Sequence, residues 1–136
     1  MSVLELTFPG GHRTRTTVQG FTIETDYPEY LGGEGSAPAP WHIFLSALTS
    51  CAGIHIRNYC AGHNLPYTEI RITLDPVVSA NDPDWFTDFN LDIFLPEGFP
   101  AEHIEPMLAE AGNCRVAKHL CVHPVRVNLK TVTVQQ

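Results

Sequence analysis

The run from Gly35 to Ile56 contains no Asp, Glu, Lys or Arg, and it constrains this chain more than any other feature. Pro40 suits the first turn of a helix, where its missing N–H is no loss. From about Trp41 to Ala61 the residues Ile43, Phe44, Leu45, Ala47, Leu48, Ala52, Ile54 and Ile56 cover most of a helical circumference. Such a helix either crosses a membrane or is covered on nearly all sides. Pro38, His42, Ser46, Thr49, Ser50 and His55 make it a poor span. A helix buried at the centre of a core is therefore expected. Gly62 is placed as its left-handed terminator, and Leu65-Pro66 stops any continuation.

The rest of the chain must supply the cover. Val3–Phe8 alternates Leu4, Leu6 and Phe8 against Glu5 and Thr7, the period of a half-buried strand. Pro9-Gly10-Gly11 and Gln19-Gly20 read as turns around an exposed strand, His12–Val18. Phe21–Asp26 alternates again, with Phe21 and Ile23 inward, which completes an N-terminal β-meander. Tyr27–Ala39 is a loop. Glu69–Val78 and Trp85–Leu95 form a hairpin across Asn81-Asp82-Pro83-Asp84. Ala101–Ala111 is a second helix, in which Pro106 predicts a kink or a later start. Arg115–Leu120 resumes helix, and Val125–Val134 is a last strand. The order is α+β, read as one domain over 1–136. These elements are few for a helix apolar all round, so a homodimer that packs two such helices is expected.

With 136 residues and 43% hydrophobic content, the chain can build one modest core. Its net charge of -7, with eight scattered Lys and Arg, gives a nucleic-acid role no electrostatic footprint. The N-terminus has no basic n-region and carries Glu5, unlike a secretory signal. A cytoplasmic protein with no membrane span is expected. The four cysteines, Cys51, Cys60, Cys114 and Cys121, are then thiols, metal ligands or a redox pair rather than permanent disulfides.

Cys51 sits mid-helix in Leu48-Thr-Ser-Cys51-Ala-Gly53, and Cys114 follows the Gly112-Asn113 break. Either alone reads more simply as a small buried hydrophobe. Cys60-x2-His63 and His119-x-Cys121-x-His123 offer zinc-type ligands, the second set on one face if it is extended. Neither matches a finger spacing, so zinc ranks below the thiol readings, and no metal or cofactor is expected. Gly32-Gly33-Glu34-Gly35 lacks the Lys and the context of a phosphate loop.

Taken jointly, the pieces resemble the OsmC/Ohr family of two-cysteine α+β proteins. The resemblance runs through Phe21-Thr-Ile-Glu-Thr-Asp26, Gly32-Gly33, Ser36-Ala-Pro-Ala-Pro-Trp-His-Ile-Phe-Leu-Ser-Ala-Leu-Thr-Ser-Cys51-Ala, and Ala109-Glu-Ala-Gly-Asn-Cys114-Arg-Val-Ala-Lys-His-Leu120. It covers nearly the whole chain. It implies an intertwined homodimer with sites at the interface, Cys51 as peroxidatic thiol and Cys114 as its resolving partner. The attacking species is a thiolate, so a cation near Cys51 is required. A mid-helix position gains little from its own helix dipole. The family draws its catalytic Arg from the region of Arg13 and Arg15, which makes both of them candidates. Arg57 lies on roughly the opposite face from Cys51. Peroxide-reducing members also carry a Glu in the first turn of the long helix to orient that Arg. This chain has Pro40-Trp41-His42-Ile43 there, and Glu34 lies far upstream.

The first expectation is thus a thiol peroxidase in oxidative-stress defence, acting on hydroperoxides and reset by an external dithiol. Trp41, Phe44, His42 and His55 are candidate pocket residues; Trp41 would wall an apolar site, and a histidine could accept the thiol proton. The second is a non-catalytic dimer that binds a small apolar ligand beside Trp41 and Phe44.

Overall fold

The computed structural model describes residues 3–134. The chain divides within its long helix into two units, Met1–Ala47 and Leu48–Gln136.

The first unit begins with the expected meander. Strands β1 (Glu5–Gly10), β2 (Arg13–Val18) and β3 (Phe21–Thr25) form an antiparallel sheet in that order. Val18 pairs with Phe21, so only Gln19 and Gly20 turn the chain, and both take positive φ, 47° and 82°. That is the geometry whose twist matches paired strands. The alternation did not translate into burial. Phe21 is 72% exposed, and Ile23, Leu6 and Phe8 are exposed as well. A period of two sets which side chains share a face, but burying that face needs a second layer.

Behind β3, Thr25 hydrogen-bonds the Thr14 hydroxyl, and Asp26 is almost fully buried. The Asp26 carboxylate accepts from the Tyr27 amide at 2.7 Å, the Ser36 hydroxyl at 2.6 Å, and the Ser36 and Glu34 amides at 3.1 and 3.3 Å. The loop from 27 to 39 is wound about this one carboxylate, through a short 3-10 turn at Glu29–Leu31. Gly33 has no substitute there, because a Cβ would lie 1.9 Å from the Tyr27 carbonyl oxygen.

The Asp26 carboxyl is lowered from 3.8 to about 2, chiefly by the Ser36 hydroxyl; burial opposes the shift, and the three amides reinforce it. A depressed folded value means that the unfolded chain holds the proton more tightly. The stability Asp26 contributes is therefore complete above about pH 4 and is lost as pH falls toward 2. Acid unfolding followed by circular dichroism is expected to show a shallower loss over that window in Asp26→Asn. An unchanged slope would remove Asp26 as its source.

The long helix α1 spans Pro40–Gly62. In the second unit its buried residues are Leu48, Ala52, Ile56 and Cys60, one stripe at four-residue spacing. Ile54, between them in sequence, is 61% exposed, so the described chain covers only part of the apolar circumference. The terminator also differs from the expectation. Asn64, not Gly62, takes the left-handed conformation at φ 55°, while the Leu65 amide reaches back to the Cys60 carbonyl at 2.8 Å. Asparagine tolerates this region nearly as glycine does, and the closing bonds satisfy the orphan carbonyls.

Strands β4 (Arg71–Val78) and β5 (Phe86–Phe94) form the hairpin, with Ile72 opposite Ile93 and Leu74 opposite Leu91. Ile72 and Ile93 pack against a core of Ile56, Cys60 and Met107. Helix α2 runs over Ile104–Gly112, after a 3-10 turn at Ala101–His103. Its late start leaves Pro106 in the first turn, where no amide is needed. Helix α3 covers Arg115–Cys121. The strand expected over Val125–Val134 does not form: 124–134 carries no ladder, and Val127 and Leu129 are 81% and 92% exposed. A strand exists only where an edge accepts it, and these residues find none among the described residues.

Candidate active site

The second unit holds both candidate thiols, on two elements. Cys51 lies on α1 between Leu48 and Ala52, half-buried. Cys114 is fully buried and forms the N-cap of α3, with φ -55° and ψ 126°. Its Sγ receives the Ala117 amide at 3.5 Å, the role a Ser or Asp oxygen plays at other helix starts. All four cysteines are thiols in this structure.

The two thiols influence one another. Burial pushes the Cys51 thiol up, but four opposing influences outweigh it. They are the Cys114 thiol, the backbone N–H groups of Val116 and Arg115, and the charge of Arg115. The net direction for Cys51 is down from the ordinary thiol value. Cys114 moves up, through burial first and then through its hydrogen bond to Cys51; the Ala117 and Val116 amides oppose this. The two thiols are therefore pushed in opposite directions, Cys51 down and Cys114 up. A thiolate is the nucleophile and a thiol is not.

Beside the pair lies a cavity of ≈500 Å³. Leu48 and Ala52 of α1, Phe86 and Phe89 of β5, Leu108 of α2, and Cys114 of α3 form much of its wall. The lining is mostly apolar and includes Cys121 at the far end of α3. Cys51 itself is not in this wall; Leu48 and Ala52 on either side of it are, and the space can hold the hydrocarbon part of a small molecule.

The other expected residues are distributed as follows. Arg15 is held by Glu24 on the neighbouring strand, Nε to Oε1 2.7 Å. Arg13 donates from Nε to the Gly10 carbonyl at 3.3 Å. Trp41 stacks on Phe44 with ring centroids 5.2 Å apart, and His42 is exposed; these five residues belong to the first unit. His55 is half-buried one turn beyond Cys51 and is not part of the cavity wall. The metal spacing dissolves, because His119 and Cys121 lie within helix α3, where a two-residue step turns a side chain to the far side. Cys60 instead sits 3.9 Å from the Met107 sulfur, and His63 bonds the Tyr59 carbonyl. Among the described residues no group of three or more His, Cys, Asp or Glu could hold a metal ion. No helix there is long and apolar enough to cross a membrane.

Arg115, and the amides at the start of α3, were not foreseen. The available signal was a basic residue directly beside a candidate cysteine in a chain with only eight Lys and Arg.

A family model described as OsmC-like protein matches residues 33–130. No curated protein sequence matches the chain. Among solved structures it is similar to a Psychrobacter arcticus 273-4 protein named for an osmotic stress and detoxification response, at 20% identity and TM-score 0.74, with 90% of each chain covered. An OsmC-like protein from Mycoplasma pneumoniae matches at 14% identity and TM-score 0.69, over 97% of this chain and 96% of that one. An organic hydroperoxide resistance protein OsmC from Legionella pneumophila matches at 20% identity and TM-score 0.56, with 90% of each covered.

Proposed function

The chain belongs to the OsmC-like protein family, and from that premise we propose that it is a thiol-dependent hydroperoxide reductase. The observation that carries this reading is an apolar cavity with Cys114 in its wall beside Leu48 and Ala52, the neighbours of Cys51 on α1, and the opposite directions in which the two thiols are pushed support it. Relatives of this fold named for organic hydroperoxide resistance support the substrate class.

The steps balance as follows. The Cys51 thiolate attacks one peroxide oxygen, the O–O bond breaks, and the leaving alkoxide takes a proton to become an alcohol. Cys51 is oxidised to a sulfenic acid. The Cys114 sulfur then attacks that sulfenic sulfur, a disulfide forms, and water leaves. An external dithiol reduces the disulfide by exchange, becoming oxidised itself. The protein works as a homodimer in this proposal. Ile54 on α1 and the apolar side chains of 125–134 are exposed in the single chain, and a second copy would cover them.

One equivalent of cumene hydroperoxide added to the reduced protein is expected to yield a Cys51–Cys114 disulfide within seconds, mapped by mass spectrometry. Thiols still free after minutes, with the fold intact, would refute the reductase reading. The apolar cavity also favours a second reading, in which a small apolar ligand binds without chemistry. That reading predicts ligand-dependent thermal stabilisation that persists in Cys51→Ala with no oxidation of the wild type.

A further inference from the structure

A second cavity, of ≈360 Å³, adjoins the one beside the cysteines, and Leu91, Ile93 and Leu108 belong to both walls. The remaining wall residues fall in order along two elements. Phe89 of β5 and Ala111 of α2 lie in the first cavity, with Cys114; Leu95, just past β5, and Ile104 of α2 lie in the second. Phe89, Leu91, Ile93 and Leu95 alternate onto one face of an extended chain, and Ile104, Leu108 and Ala111 share one stripe of a helix. The two cavities are therefore successive lengths of one apolar groove, with Leu108 where they join. Leu108 is 46% exposed, so its side chain is not locked into the core as that of Met107 is. Each wall includes one carboxylate, Asp88 in the first and Asp92 in the second, and among the described residues neither includes a Lys, Arg or His.

We propose that this groove takes an uncharged, unbranched alkyl chain and that Leu108 sets the length it accepts. The inference rests on the hydroperoxide-reductase reading for the reactive end of the ligand, a neutral alkyl hydroperoxide, and not for the chain. A chain that starts beside Cys114 passes Phe89 and then meets the Leu108 side chain between the two cavities. Removing that side chain joins the ≈500 and ≈360 Å³ spaces, and each further methylene buried then adds affinity. Charge constrains the head group. A carboxylate at either end of the chain lies against a wall that holds an aspartate and no cation, and an unpaired charge taken out of water is costly. A hydroperoxide or an alcohol brings no charge, so simple alkyl compounds fit and fatty acids do not. Leu108 touches the chain and not the reacting oxygens, so it is a specificity-determining residue.

Primary alcohols are the products that the proposed reduction releases, and their binding needs no peroxide. Isothermal titration calorimetry of the reduced protein with hexanol, octanol, decanol and dodecanol reads the accepted length. In the wild type, affinity is expected to rise about fourfold per methylene and then level off. In Leu108→Ala the rise continues to longer chains, with dodecanol bound about tenfold more tightly than by the wild type. Adding Ile104→Trp, which fills the second cavity, removes that gain. Dodecanoate is expected to bind at least about tenfold more weakly than dodecanol. Circular dichroism checks that each variant is folded, and Leu108→Val, which shortens the side chain less, carries the comparison if Leu108→Ala is not. A plateau at the same chain length with and without the Leu108 side chain, a gain that survives Ile104→Trp, or dodecanoate bound as tightly as dodecanol overturns the proposal. So does a folded wild type that binds none of the alcohols. The two readings fail separately. The expected chain-length pattern in a protein that never consumes hydroperoxide upholds Leu108 and removes the reductase.

Discussion

Cys51→Ser is expected to lose peroxide reduction by about 10³-fold or more, since a nucleophile has no substitute within the pair. Serine keeps the size of the side chain, and at neutral pH its hydroxyl stays protonated beside the same donors. Cys114→Ser is expected to behave differently. Cys51 still ionises, because the serine hydroxyl can donate in place of the thiol. Each chain should therefore consume one equivalent of cumene hydroperoxide and then stop. A sulfenic acid accumulates at Cys51, where dimedone traps it. The asymmetry follows from the opposite directions in which the two thiols are pushed. Stopped-flow peroxide consumption and mass spectrometry of the trapped adduct decide it. An inert Cys114→Ser beside a Cys51→Ser that still reacts once would reverse the two roles.

The second large effect is on stability. Met107 is fully buried and packs with Ile56 and Cys60, the buried centre onto which Ile72, Ile93 and Leu95 close. Met107→Ala removes most of that side chain and leaves a void, because α1, α2 and the hairpin all border it and cannot all collapse inward. A loss of roughly 2–5 kcal/mol is expected. For a chain of this size that lowers Tm by on the order of 10 °C. Leu108 is the control, since it neighbours Met107 in sequence but is 46% exposed. Leu108→Ala is expected to cost about 1 kcal/mol or less. Urea unfolding of the two variants measures the difference. Equal losses would mean that the second unit is not organised around Met107.

The comparison of these adjacent residues shows what can be read from a sequence. The strongest regularities survived. The apolar stretch expected as a helix from about Trp41 to Ala61 lies in α1, and the alternation of Phe89, Leu91 and Ile93 became the facing side of β5. Both are local periods, visible without knowing the neighbours. What failed depended on neighbours. Phe21 and Ile23 alternate correctly but lie exposed, and 125–134 has the composition of a strand without an edge to join. Cys51 and Cys114 were singled out through a resemblance spanning most of the chain. The opposite directions of their shifts were not, because they come from burial and from the interaction of the two thiols, which belong to segments more than sixty residues apart.

The knot of hydrogen bonds around Asp26 has a consequence for the order in which the protein assembles. The carboxylate is joined to amides one, eight and ten residues further along the chain. The sheet before it is two successive hairpins. Each step closes only a short loop, and the entropy of closure grows slowly from a small start. The core of Ile56, Cys60 and Met107 instead waits for ends separated by most of the second unit. By contact order, the N-terminal unit is the quick half of the molecule. On a ribosome it could take its shape as it emerges, holding the first turn of α1 in place before either cysteine of the pair has a partner.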